Sequence, residues 1–87
     1  MNDAQKEGLK NAVLRVLEGQ AAGLNRIEIT AAIIVAGLVP QGIDRSDLAD
    51  KLRQPLHELA AESKLHTVGE KRLMKYLFGP GGKKAKQ

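Results

Sequence analysis

The stretch Leu65-His66-Thr67-Val68-Gly69-Glu70-Lys71-Arg72-Leu73-Met74-Lys75-Tyr76-Leu77-Phe78 breaks with everything before it. Met74, Tyr76 and Phe78 fall on one side by the two-residue period of a strand, and Leu73, Lys75 and Leu77 fall on the other. With Gly69-Glu70-Lys71 as the turn, the segment reads as a hairpin of two strands, Leu65 to Val68 and Arg72 to Phe78.

Upstream of it the spacing is helical. Between Asp44 and Ser63 the residues Leu48, Leu52, Leu56 and Leu59 form one apolar row, with Asp44 or Ser46 as the N-cap. Pro55 lies inside this row, where it removes an amide donor and crowds the carbonyl of Lys51. Either a kink or two abutting segments meeting near Gln54 follows, and the continuity of the leucine row favours the kink. The stretch from Arg26 to Gly37 is apolar almost throughout. Its isoleucines and Val35 favour a strand, whereas Ala31, Ala32 and Ala36 favour a short buried helix stopped by Gly37. The balance predicts a brief extended entry around Asn25 to Ile27, then a helix to about Ala36. Pro40-Gln41-Gly42 is turn chemistry. From Asp3 to Glu18, Leu9, Val13, Val16 and Leu17 make a further helical stripe with Ala12 beside them, Asp3 as N-cap and Gly19 as the stop.

Gly79-Pro80-Gly81-Gly82 ends the patterned part of the chain, so residues 1–78 read as one domain and 79–87 as a mobile basic tail. A length of 87 residues admits a single core. A 43% hydrophobic and 28% charged composition is that of a folded chain, not a disordered one. Tyr76 and Phe78 are the only aromatic rings, which argues against a base-stacking platform for single strands or RNA.

The absence of cysteine excludes disulfides, thiolate zinc sites and cysteine nucleophiles. His57 and His66 are too few for a metal site, and neither Ser46 nor Ser63 has a local base to activate it. Gly79-Pro80-Gly81-Gly82-Lys83 resembles a phosphate loop only superficially, because no Ser or Thr follows the lysine and no helix begins there. No enzyme, cofactor or metal is expected. The N-terminus lacks a secretory pattern, and the run from Ile29 to Val39 is too short to span a bilayer, so a cytoplasmic chain without membrane contact is expected.

The charge distribution is uneven. Residues 1–63 carry seven Lys and Arg against nine acids, a net −2, while residues 64–87 carry seven against Glu70 alone, a net +6. All the surplus of the +4 chain lies at the C-terminal end, which suits a densely negative partner approached by that end, nucleic acid first. A solubilising tail is the alternative.

Helix, short strand, helix, helix and hairpin is an element order that resembles the winged-helix (winged helix-turn-helix) superfamily. The residues carrying the resemblance run from Leu52-Arg53-Gln54-Pro55-Leu56-His57-Glu58-Leu59 through Lys64-Leu65 to Tyr76-Leu77-Phe78. It implies an α+β fold, a small winged helix of three helices with a C-terminal β-hairpin wing. It also implies a double-stranded DNA partner, in a transcriptional regulator of bacterial, plasmid or phage origin, with helix 3 in the major groove and the wing on the backbone. On a helical wheel Ser46, Asp50, Arg53, Gln54, His57, Ala61 and Lys64 turn outward when the leucines face in.

The resemblance then assigns Arg53, Gln54 and His57 to base edges and Ser46 to phosphate. Lys64, Lys71, Arg72 and Lys75 are assigned to phosphates around the wing, and Lys83, Lys84 and Lys86 to a flexible arm. Asp47, Asp50 and Glu58 lie on or beside the same flank and repel phosphate. They favour the alternative of a winged-helix module that binds protein. Homodimerisation through helix 1 or the apolar segment stays open, because palindromic sites need two readers.

Overall fold

The computed structural model of the protein describes residues 2–20, 22–69 and 74–79. The first helix, α1 (Asp3–Leu17), is opened by Asn2. The Asn2 side chain accepts the Gln5 amide at 2.8 Å, and the Gln5 side-chain oxygen accepts the Asn2 N–H at 3.1 Å. Two amides left without partners by the helix are thus bonded reciprocally. The cap is Asn2, not Asp3, which sits in the first turn where its charge suits the helix dipole.

Asn25 and Glu28 repeat the device at the start of α2 (Arg26–Ala36). This capping box corrects the expected extended entry. Arg26 and Ile27 are already helical, and the extended contact is Leu24, which forms an isolated bridge with Tyr76. At the other end of α2, Gly37 adopts φ +72°, a left-handed turn that lets the Leu38 N–H reach the Ile33 carbonyl at 3.0 Å. The Pro40 turn follows, closed by the Ile43 N–H on the Pro40 carbonyl at 3.3 Å.

The leucine row is carried by two short helices, α3 (Arg45–Lys51) and α4 (Arg53–Ala61), with Leu52 alone between them. Asp44 is the N-cap residue of α3, without a side-chain capping bond. Pro55 is the third residue of α4, in the first turn, where a missing amide costs no bond within the helix. The interruption is therefore a junction of two segments at Leu52, two residues before Gln54, and not a kink within one helix. The backbone at Leu52 stays right-handed (φ −74°, ψ −15°), so Leu48, Leu52, Leu56 and Leu59 all remain fully buried.

Two residues beyond α4 comes Ser63, whose φ of +63° is the only left-handed backbone outside glycine among the described residues. That conformation lets the Lys64 N–H reach the Leu59 carbonyl at 2.9 Å and turns the chain into the hairpin.

The hairpin pairs β1 (Leu65–Val68) with β2 (Lys75–Phe78), antiparallel, in the register Leu65 with Phe78 and Val68 with Lys75. The second strand begins at Lys75, with Met74 just before it. Arg72 and Leu73, expected to begin that strand, lie outside the described residues. Two backbone bonds join the hairpin to the chain ahead of α2: Leu24 N–H to the Tyr76 carbonyl at 3.0 Å and Tyr76 N–H to the Leu24 carbonyl at 2.7 Å. β2 is thus held on both edges.

The core between the helices and the hairpin is aliphatic. It combines Leu9, Val13 and Leu17 of α1, Ile29 and Ile33 of α2, the leucine row and Leu65, with Tyr76 packed against it. Three helical units followed by an antiparallel hairpin make a small α+β, winged-helix-like layout. No described helix is long and apolar enough to cross a membrane.

Candidate nucleic-acid interface

Burial of Pro55, Leu56 and Leu59 fixes the rotation of α4 and so decides what its other side presents. Arg53, Gln54 and His57 emerge together on that side, all exposed. All seven positions turned outward by the wheel are exposed, from Ser46 and Asp50 on α3 to Ala61 and Lys64 after the α4 face.

Lys64 stands at the base of the hairpin, where its carbonyl accepts the Gly79 N–H at 2.8 Å. Lys75 pairs with Val68 at the other end of β2, about 10 Å along the strand, and is half-buried. The outward position expected for Lys75 is only partly realised. Lys71, Arg72, Lys83, Lys84 and Lys86 fall outside the described residues. The base of the hairpin is further tied by His66, whose Nδ1–H donates to the Gly79 carbonyl at 2.9 Å.

Charge on this side is arranged differently from the sequence expectation. Glu58 lies beside the outward flank of α4, half-buried, with its carboxylate turned toward α1. Its carboxylate meets Lys6 Nζ at 3.2 Å and Lys10 Nζ at 3.0 Å. Lys10 also meets Glu62 at 3.1 Å, and Glu62 meets Lys64 at 3.7 Å. Lys6, Glu58, Lys10, Glu62 and Lys64 therefore alternate in sign along the seam between α1 and α4. A signal for this was present in the chain: Lys6 and Lys10 are spaced four apart on one helix, and Glu58 and Glu62 four apart on another.

Hydrogen bonds from Lys10, then Lys6, then Gln54 hold the Glu58 carboxyl down at about 2, from an ordinary 4.5. The same contacts with Glu58 and Glu62 raise Lys10. A carboxyl whose folded value is depressed adds stability above its unfolded value and loses it as pH falls through the folded one. The Glu58 contribution is thus complete above about pH 4.5 and disappears toward pH 2. In acid titrations followed by circular dichroism, Glu58→Gln is expected to flatten the loss of stability between those two values. An unchanged acid limb would contradict the seam.

The remaining polar contacts bear on what α4 can read. Arg53 Nε meets Asp50 Oδ1 at 3.2 Å, with both side chains largely exposed, 65% and 82%. Such a pair holds weakly and leaves the guanidinium free to turn toward a stronger anion. Gln54 Nε2 donates to Glu58 Oε2 at 3.0 Å, which leaves its carbonyl oxygen and second amide hydrogen for a ligand. Three exposed acids beside this face, Asp44, Asp47 and Asp50, are gathered on α3 and the turn before it.

No group of three His, Cys, Asp or Glu suited to a metal ion occurs among the described residues. Comparison with family models, with curated proteins and with solved structures finds no match to this chain.

Proposed function

We propose that the protein binds double-stranded DNA as a winged helix, with the outward face of α4 toward the major groove and the hairpin along the phosphate backbone. A role in transcription regulation follows from that mode of binding. The observation that carries the reading is the α4 face itself. Arg53, Gln54 and His57 emerge together, while the carboxylate of Glu58 beside them is paired with Lys6 and Lys10 and bonded by Gln54. Arginine can grip guanine with two donors and glutamine can pair with adenine, so this triplet has the chemistry of base-edge readout. Ser46 and Lys64 supply phosphate contacts on either side, and the C-terminal surplus of lysine and arginine supplies the attraction.

The test is selection of a preferred duplex from a random pool, followed by binding of variants. Arg53→Ala is expected to weaken binding to the selected duplex about tenfold and to flatten discrimination at one base pair. Gln54→Ala should flatten a neighbouring position. Equal losses on selected and scrambled duplexes would remove base readout from the reading.

A protein-binding module is the second reading. The exposed Asp44, Asp47 and Asp50 favour it, because they set a row of carboxylates beside the face that would meet phosphate. It predicts no measurable affinity for duplex DNA even at low salt.

A further inference from the structure

Arg53 and Gln54 open the outward face of α4, and each is bonded to a carboxylate beside it. Gln54 Nε2 donates to Glu58 at 3.0 Å, and Arg53 Nε meets Asp50 Oδ1 at 3.2 Å. The second pair crosses the junction of the two helices, with Asp50 near the end of α3 and Arg53 the first residue of α4. Leu52, between them, is fully buried and its backbone stays right-handed, so positions three apart still lie on one side across the break.

Holding the fold does not account for Asp50. It is exposed, its carboxylate caps neither helix, and Arg53 is its one side-chain partner among the described residues. An ion pair this open adds little to stability. A lone carboxylate is also unsuited to a surface that meets phosphate, which repels it. What Asp50 does is occupy one particular donor. A guanidinium has five N–H groups, one on Nε and four on the two terminal nitrogens. With Nε taken by Asp50, the terminal nitrogens are left as the free end, and that end matches the O6 and N7 acceptors on the major-groove edge of guanine.

Given the reading of α4 as the helix that faces DNA, on which this rests, we propose that Asp50 is a positioning residue for base readout. By holding Arg53 through Nε it aims the terminal nitrogens at one guanine, and its second oxygen, Oδ2, accepts from the amino group of cytosine or adenine at the neighbouring step. Holding Arg53 in advance removes freedom that the side chain would otherwise lose on binding. The pair, weak in water, strengthens in the groove, where solvent is excluded from between its charges. The same negative charge penalises a thymine or guanine that turns an acceptor toward Oδ2, and it weakens the grip of Arg53 on phosphate. Discrimination therefore rises while affinity for random sequence falls.

The test measures variants on the duplex selected from a random pool, on duplexes with the guanine or its neighbour changed, and on scrambled duplex. Asp50→Ala is expected to bind scrambled duplex about threefold more tightly, since a charge that repels phosphate is gone, and to lose about fivefold in preference for the guanine. Asp50→Asn, which keeps an oxygen for Nε, should retain more of that preference than Asp50→Ala. Asp50→Ala combined with Arg53→Ala should show the same preference as Arg53→Ala alone, because one side chain acts through the other. Melting temperatures should stay within a few degrees of the parent, as both side chains are exposed. A uniform gain by Asp50→Ala on every duplex, with the guanine preference unchanged, would overturn the proposal and leave DNA binding standing. Additive losses in the double variant would do the same. Absence of binding by the unaltered protein to any duplex would overturn both.

Discussion

Gly23→Val is expected to lower stability by about 3 kcal/mol, roughly 15 °C in melting temperature for a domain of this size. Gly23 has φ +82°, a conformation that costs a β-branched residue heavily. A Cβ there would also lie 2.9 Å from the Tyr76 carbonyl oxygen and 2.9 Å from Leu77 Cγ. Those two atoms belong to β2, and Gly23 directly precedes the Leu24 bridge to Tyr76. The substitution therefore strikes the point at which the hairpin is fastened to the helices. Gly23→Ala should cost less, since it lacks the branched carbon but keeps the strain. Thermal melting of both variants checks the order. A Gly23→Val melting temperature within a few degrees of the parent would mean that the hairpin is not held there.

A larger effect is expected in solution with DNA. If Lys64, Lys71, Arg72 and Lys75 each neutralise one phosphate, raising salt from 50 to 200 mM should weaken duplex binding roughly 100-fold. Replacing Lys71 and Arg72 together by alanine should reduce the slope of log affinity against log salt by about 2, with equal losses on all sequences. Fluorescence anisotropy with labelled duplex measures both. A salt-independent affinity would remove the phosphate contacts from the account.

The parts of this molecule that were legible in its sequence are those set by period. The two-residue alternation through Tyr76 and the leucine row from Leu48 to Leu59 dictated hairpin and helix, because each buries one face and only one period allows that. The outward set on α3 and α4 followed from the same row. What period could not give was decided by bonds between neighbours. Apolar composition hides the start of α2, because the Asn25 and Glu28 capping pair that opens the helix one residue after Leu24 carries no period. The junction at Leu52 was displaced from its expected place because a proline within a first turn is accommodated and the break falls ahead of it. Glu58 lies beside the exposed flank as the wheel places it, and what the wheel does not give is its pairing. Two lysines on a helix more than forty residues away draw it inward. Long-range electrostatic pairing of this kind leaves only a faint trace in the chain, here the matched four-residue spacings.

The proposed function needs one face to meet the DNA duplex: α4 with the hairpin beside it. Amide chemical shifts recorded while a duplex of about 15 base pairs, some one and a half turns, is added at ~50 mM salt test it directly. The shifts are expected to move at Arg53, Gln54, His57, Lys64 and Lys75 and to stay still along the exposed side of α2. Shifts that remain unmoved throughout, or that move on α2 and not on α4, would contradict it.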